Sequence, residues 1–560
     1  MNTFIDYLDQ FNVLSPNHAK IYDEYTQKSD TYLFSIPTRV EQYLADVFVK
    51  QPRSIIMTGN AGDGKTRLCR SLYEMLTNKQ LEGWPKEGII DVTYEGGTVR
   101  IVKDLSELTE SVIYTELLRL QSSVANAHAD RVYYLIAANE GKLTKFLSQY
   151  PELKPLADAV GARFIDHLNN NDRLHLVNLQ DVTSSIYADR IFEEWNQEKY
   201  WGACDECPAQ KKCIISFNHR KMVQPGVRDK LIEQYRLLDC LGIHVTMREI
   251  LIHASYTITG GLTCSTVLQA DYSAIEQQAE RAYYNNFYGV QMPDVSTGEM
   301  GAVRYLTRLD PGQLSISSID DFLLNGDISG DPAIVEQHSN LFEEDIDLLF
   351  GYFRKRIEQY RTLDPEQDHA QLFDQMPRFR RKFFFECGEQ GNEMRQSQLP
   401  YNYYYRFAEC LMKPQVHAII RRDLMHGLNQ AFAKKLIIRP NAPVLYAVNE
   451  NLLIHGVYLG PAVKLAVESQ RDDIDHMPSR LILSVQNSIK LEVRLPVFEY
   501  LLRLSGGGLF MTLRQEVEIL LSTFKNDLIN NSELDEFALS VLALDADKGV
   551  YDMHNINIEI

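Results

Sequence analysis

Gly59-Asn60-Ala61-Gly62-Asp63-Gly64-Lys65-Thr66 meets every fixed position of the G-x-x-x-x-G-K-[ST] phosphate-binding loop. An apolar run, Ser54-Ile55-Ile56-Met57-Thr58, enters it, and a helix-like stretch from Lys65 to Leu76 leaves it. Strand, glycine-rich loop and helix in that order form an anion site, because inward-turned backbone N–H groups and a helix N-terminus both face the phosphates. Gly59 to Gly64 are therefore expected to cradle a nucleotide, with Arg67 at the loop's helical border. Lys65 is expected to reach the β- and γ-phosphates and Thr66 to ligate Mg²⁺.

Working outward, strand-like and helix-like runs alternate as in a layered α/β sheet. Thr98 to Lys103 reads as a strand ending at Asp104, Glu110 to Ala127 as a helix, Arg131 to Ala138 as a strand ending at Asn139-Glu140, and Leu174 to Asn178 as a further strand. An acidic side chain at the end of such a strand orients the attacking water or holds Mg²⁺. Glu140 is the favoured water-polarising base, and Asp104 is the alternative acidic ligand for Mg²⁺. Asn139 stands where an aspartate would complete an acidic pair, which makes nucleotide binding a firmer expectation than turnover. Asn178 reads either as a γ-phosphate sensor or as a turn-capping asparagine. His244 to Gly261 reads as a lid helix whose first turn carries Arg248, placed to reach the γ-phosphate or to pair with a nearby acid.

The chain has 560 residues, 45% of them apolar and 24% charged, and a formal net charge of −19. That length predicts several domains. The acidic balance argues against a protein that coats nucleic acid through its global field, which leaves Pro377-Arg378-Phe379-Arg380-Arg381-Lys382 and Arg421-Arg422 as the local basic spots. A solvated helix face is the expected reading of both, with DNA contact second. No run of 18 apolar residues suggests a membrane span, and the opening residues lack a basic, then apolar, secretion pattern. A cytoplasmic location is the expectation.

Eight cysteines in so long a chain do not make a disulfide scaffold. Cys69, Cys240, Cys264, Cys387 and Cys410 read as small core residues. Cys204, Cys207 and Cys213 form C-x₂-C-x₅-C, a spacing that wraps a metal ion. Zinc is the first expectation, with His219 or a distant cysteine such as Cys240 as fourth ligand. An iron–sulfur cluster ranks lower, because only three thiols lie close in sequence.

The expected fold class is α/β, a P-loop NTPase three-layer core (AAA-like) followed by a helical lid and a mixed α+β C-terminal domain. The expected divisions are an N-terminal helical segment (1–50), the core (51–182), a cysteine-cluster insertion (183–232), the lid (233–299), a helical domain (300–395) and the C-terminal domain (396–560). Within the last, Leu481 to Val485 and Ile489 to Leu495 read as a hairpin turning at Gln486-Asn487-Ser488.

Taken together, Gly59 to Thr66, Ala137-Ala138-Asn139-Glu140-Gly141, the cysteine cluster followed by Asn218, and His244 to Gly261 resemble the F component of bacterial DNA phosphorothioation-dependent restriction systems. The likeness runs more weakly through Tyr283 to Gly289 and Leu309-Asp310-Pro311. It implies an ATPase of an anti-phage defence system, acting with helicase-like and nuclease-like partners and meeting DNA directly or through them. No nuclease signature is evident in this chain. A nucleotide-gated scaffold or sensor with little turnover is the alternative reading, and a general AAA-type remodelling ATPase is a third; an oligomer is compatible with each.

Overall fold

The computed structural model describes residues 1–13, 15, 36–167, 173–292, 300–344, 347–362, 369–437, 443–508, 515–532 and 538–557. The chain forms two compact units. One comprises Met1–Arg236, His244–Gln398 and Arg471–His476, the other Leu237–Ile243, Leu399–Gln470 and Met477–Ile560.

The first unit opens with helices α1 (Thr3–Asp9) and α2 (Arg39–Lys50), then strand β1 (Ser54–Thr58) and helix α3 (Lys65–Thr77). Strands β2 (Ile89–Tyr94) and β3 (Gly97–Val102), helix α4 (Glu110–Ala125), strand β4 (Val132–Ala138), helices α5 (Glu140–Gln149) and α6 (Lys154–Ile165), and strand β5 (Leu174–Asn178) follow. The sheet order is β2-β3-β4-β1-β5. β1 lies parallel to β4 and β5, and β3 parallel to β4, whereas β2 returns antiparallel to β3 through a tight hairpin. The fold is thus α/β with a mixed, mostly parallel sheet.

All five residues of β1 are buried, as expected of a parallel strand covered on both faces. Ile56, Val102 and Ile136 of the sheet join Leu117 and Leu120 of α4, Leu143 of α5 and Val160 of α6 in one core, while α3 packs on β4 and β2. Each such side chain removed from water contributes about 1.5–3 kcal/mol, so β1 is held firmly under its loop. The expected strands over 98–103, 131–138 and 174–178 all form within a residue or two. The β2 arm, which makes the sheet mixed, went unread because Ile89 to Tyr94 is only partly buried and only weakly apolar.

The chain continues through α7 (Ser184–Trp195), the short α8 (Gly202–Asp205), α9 (Ile214–Met222), α10 (Pro225–Cys240), α11 (Met247–Thr259) and α12 (Cys264–Leu268). Thr246 and Glu249 form a reciprocal capping box at the start of α11, and Gly260 ends it in the left-handed conformation. The rest of this unit is helical, centred on the helix Ala370–Glu386, whose Phe379 and Phe383 pack with Ile319, Phe322 and Phe353.

That helix corrects the reading of its basic run. Arg378, Arg381 and Lys382 are buried. Arg381 forms a two-pronged pair with Asp310 at 2.8 Å on each arm, Arg380 grips Asp320 at 2.7 and 2.8 Å, and Lys382 meets Glu386 at 3.0 Å and Asp347 at 3.3 Å. The run is neither a solvated face nor a DNA contact. Its charges are consumed inside the unit, where a buried cation must be paired to persist.

In the second unit, strands β6 (Val444–Val448) and β7 (Leu453–Leu459) pair antiparallel. They are followed by β8 (Val463–Val467), β9 (Leu481–Val485), β10 (Ile489–Val493), β11 (Ala538–Asp545) and β12 (Val550–Asn557). The sheets run β10-β9-β8 and β12-β11-β7-β6. The expected hairpin is present as β9–β10, with Gln486 and Asn487 at positive φ in its turn. Of the second basic spot, Arg421 donates to the Val463 carbonyl at 3.2 Å, and Arg422 stays exposed beside Asp423. Among the described residues no helix is long and apolar enough to cross a membrane.

Candidate functional site

The loop from Gly59 to Gly64 leaves the C-terminal end of β1, an interior strand between β4 and β5, at the end of the sheet where open α/β folds bind ligands. Gly62 and Gly64 adopt φ of +101° and +83°, a region that side-chain-bearing residues avoid. A Cβ on Gly62 would also lie 3.0 Å from Thr246 Oγ1 and 3.1 Å from Arg248 Cβ. The loop can therefore turn its amides inward only with glycine at these places.

Lys65 opens α3 with its ammonium folded over the loop, donating to the carbonyls of Gly59 at 2.8 Å and Asn60 at 2.7 Å. Asp63 braces the turn, its Oδ2 accepting from Asn60 N at 2.5 Å. Burial pulls the Lys65 ammonium below its ordinary range, and Arg248 acts in the same direction. Asp63, Asp104 and Cys69 oppose it. Cys69, one turn further along α3, is pushed up to about 12 by burial and then by Asp104. The fold therefore brings Lys65, Asp104 from the end of β3 and Arg248 from the first turn of α11 into one electrostatic neighbourhood.

The start of α11 touches the loop directly. Arg248 N donates to the Gly62 carbonyl at 3.1 Å, and His244 Nε2 lies 2.8 Å from Asp63 Oδ1. Backbone and side chain together tie residues 244–248 to residues 62–63. His244 had no assigned role in the sequence, since a histidine just before a helix carries no pattern of its own.

Asn178 ends β5 and Glu140 lies two residues beyond the end of β4, the two strands that flank β1. Asn139 caps α5, its side chain accepting from Lys142 N at 3.2 Å, and Glu140 is the first residue of that helix. Burial and then Asp181 raise the Glu140 carboxyl above its ordinary range, the direction that suits a general base. Gln180 Nε2 donates to Glu140 Oε2 at 3.1 Å, linking the ends of β4 and β5. Asn178 Oδ1 accepts from Thr58 Oγ1 and from Gln180 N, both at 3.2 Å, so it combines the capping role with a place beside the loop strand. Asp104 caps the turn after β3, accepting from Ser106 N at 2.7 Å. Thr66 and Arg67 occupy the first turn of α3.

A segment distant in sequence also reaches this region. Arg471 pairs with Asp181 at 2.6 Å, and Asp475 pairs with Arg190 at 2.9 Å while accepting from Arg39 N at 2.7 Å. No local pattern announces such a strap, because its partners lie some hundreds of residues away.

All eight cysteines are free. Cys69, Cys240, Cys387 and Cys410 are buried, as expected of core residues, but Cys264 is only half-buried and is linked to Cys204 through Asn2, whose carbonyl accepts from Cys264 Sγ at 3.9 Å and whose side-chain amide donates to Cys204 Sγ at 3.4 Å. His219 does not join it. Its ring stacks on Trp201 at 4.1 Å, its Nδ1 meets Asn196 Oδ1 at 3.1 Å, and burial, then Arg220, pushes its pKa down to about 4. Among the described residues no three His, Cys, Asp or Glu side chains converge closely enough to hold a single metal ion.

Comparison with protein-family models, with curated proteins and with solved structures gives no match to this chain.

Proposed function

We propose that this chain is a P-loop ATPase that binds ATP with Mg²⁺ at Gly59–Thr66 and couples nucleotide state to movement of α11. The observation that carries this reading is the left-handed glycine loop at the C-terminal end of β1, with Lys65 folded over it and Arg248 N bonded to the Gly62 carbonyl. The loop amides and the N-terminus of α3 would bind the phosphates. Lys65 would exchange the Gly59 and Asn60 carbonyls for phosphate oxygens, and Thr66 and Asp104 are the oxygen donors suited to Mg²⁺. Glu140, with its raised carboxyl, would orient and deprotonate water, Asn178 would sense the γ-phosphate from the neighbouring strand, and Arg248 would report it to the lid.

The resemblance read from the sequence places this activity in a multi-protein bacterial DNA-restriction system directed against phage. There the chain would supply the ATP-driven step, and helicase-like and nuclease-like partners would engage and cut DNA. A nucleotide-gated sensor with slow turnover is the second reading. It is favoured by Asn139, whose side chain is committed to capping α5 where a second acid would serve the metal.

ATP binding and hydrolysis by wild type, Lys65→Ala and Glu140→Gln, each with and without DNA, test both readings. The ATPase reading expects binding lost in Lys65→Ala, and binding kept but turnover lost in Glu140→Gln. Wild-type turnover no higher than that of Lys65→Ala under both conditions, with ATP still bound, would leave the sensor. Failure of wild type to bind ATP would end both.

A further inference from the structure

Arg471-Asp472-Asp473-Ile474-Asp475-His476 belongs to the first unit, although the residues on either side of it, Gln470 and Met477, belong to the second. Ile474 is buried, and charge pins the rest. Arg471 grips Asp473 within the segment, Nε to Oδ1 at 2.9 Å and Nη2 to Oδ2 at 2.5 Å. Its remaining arm, Nη1, lies 2.6 Å from Asp181 Oδ2. Asp475 accepts from the N of Arg39, the first residue of α2, at 2.7 Å and pairs with Arg190 at 2.9 Å, while Arg39 Nε donates to the Asp472 carbonyl at 2.6 Å.

This segment meets the turn after β5 at two points. Beside the Arg471–Asp181 pair, the Asp475 carbonyl accepts from Thr183 N at 2.9 Å. Gln180 stands inside that turn, next to Asp181. Its backbone N donates to Asn178 Oδ1 at 3.2 Å and its Nε2 to Glu140 Oε2 at 3.1 Å. The turn is thus held from β1 by the Thr58–Asn178 bond and from the other side by residues 471–475, and Gln180 carries that constraint to Glu140.

An arginine suits this work better than a lysine. Two arms of the guanidinium are committed to Asp473, so its plane is fixed before Asp181 meets the third. The Arg471 side chain is almost fully buried, where a charge-assisted hydrogen bond is strong and directional. Glu140 gains most from such fixing. It is the first residue of α5, and a general base must stand within hydrogen-bond reach of the proton it takes, where a misplacement of about 1 Å can cost about 10²-fold in rate.

We propose that Arg471 is a positioning residue for the hydrolytic base: through Asp181 and the turn 178–183 it keeps Gln180 on Glu140 and so sets the direction in which Glu140 meets the attacking water. The inference rests on the reading of the chain as an ATPase with Glu140 as its base. Arg471 acts at one remove, through Asp181 and Gln180. With Oε2 engaged by Gln180, Oε1 is the oxygen that would take the proton from water. The chain enters and leaves the segment through Gln470 and Met477 of the second unit, so the base is set by residues far from any phosphate-loop motif.

The test measures ATP affinity and steady-state turnover of the full chain with Mg²⁺, on the alkaline plateau of the turnover profile. Arg471→Met and Asp181→Ala should each lower turnover about 10- to 100-fold while ATP affinity stays within about twofold of wild type. Combined, they should fall no further than either alone, because they cut one link. Asp181→Asn, which keeps an acceptor for the guanidinium, should recover part of the loss seen in Asp181→Ala. In Glu140→Gln, where the base is gone, neither change should lower the residual turnover. If Arg471→Met does not fold because Asp473 loses its partner, Asp181→Ala still decides, since Asp181 is half-exposed and its loss leaves Arg471 on Asp473. Undiminished turnover in Asp181→Ala, an equal loss of ATP affinity, or a further loss in the Glu140→Gln background would each overturn the proposal and leave the ATPase reading standing. Wild-type turnover no higher than that of Lys65→Ala would overturn both.

Discussion

Asp63 holds His244, Oδ1 to Nε2 at 2.8 Å, with the carboxylate almost fully buried and the imidazole largely so. This pair joins the glycine loop to the approach of α11, and the Gly62 carbonyl seals the same junction through Arg248 N. Any displacement of residues 62–63 would therefore be passed to the start of α11 through two bonds.

His244→Ala removes the side-chain half of that junction and leaves Asp63 buried with only Asn60 N as its named partner. The loss is expected to be about 1–3 kcal/mol, read as a lower urea midpoint. Amide exchange at Thr246–Glu249 should quicken more than at β4. Equal protection of Thr246–Glu249 in variant and wild type would show that the pair does not hold the lid.

Asp104 and Glu140 should separate by kinetic role. Asp104→Asn is expected to raise the Mg²⁺ concentration needed for half-maximal turnover, whereas Glu140→Gln should keep ATP binding and lower turnover about 10²–10⁴-fold. Because burial and Asp181 raise the Glu140 carboxyl, the acid limb of the turnover profile should lie above the ordinary carboxylate range. Asp181→Asn should move that limb to lower pH. A limb that stays in place in Asp181→Asn would remove Glu140 as its source.

His253, fully buried in α11, has its Nδ1 2.5 Å from the Tyr235 hydroxyl and its Nε2 2.9 Å from the Phe287 carbonyl. Burial lowers its pKa from 6.5 to about 4, with the Phe287 hydrogen bond opposing. The unfolded chain therefore binds this proton more readily than the folded one between those values. Stability from a neutral His253 is complete above pH 6.5 and lost as pH falls toward 4, a change on the order of 2–3 kcal/mol. Urea midpoints from pH 7.5 to 4.5 should fall more steeply for wild type than for His253→Gln; parallel lines would contradict this assignment.

Lys382 is fully buried between Glu386 and Asp347. Burial raises the Asp347 carboxyl, with Lys382 opposing, so Lys382→Met takes the cation from buried Asp347, while Glu386 keeps Lys221 at 2.9 Å. A loss of about 3–5 kcal/mol is expected, checked by thermal and urea melts. Lys382→Met combined with Asp347→Asn should recover part of it. A melt unchanged in the single variant would mean that the network adds no stability.

The sequence by itself determined the features whose cause is local. Ser54 to Thr58 carries the apolar run Ile55-Ile56-Met57 at its centre and so becomes a buried interior strand. The spacing of Gly62, Gly64 and Lys65 dictates a left-handed, inward-turned loop, and Thr246 with Glu249 dictates where α11 starts. Strand ends at Asn139-Glu140 and Asn178 were legible for the same reason, since periodicity stops there. Tertiary structure alone decided which ends meet. Asp104 reaches the field of Lys65 only because β3 lies beside β4 and β4 beside β1. His244 finds Asp63, and Arg471 finds Asp181, across distances in the chain that no spacing rule records. The basic run at Arg378–Lys382 looked like a charged surface until Asp310, Asp320, Asp347 and Glu386 were folded around it. Cys264 looked like core filler until Asn2 brought it to Cys204. Burial and pairing belong to the whole packed unit, because they depend on which residues are near in space, whereas periodicity, caps and glycine turns depend on neighbours in the chain.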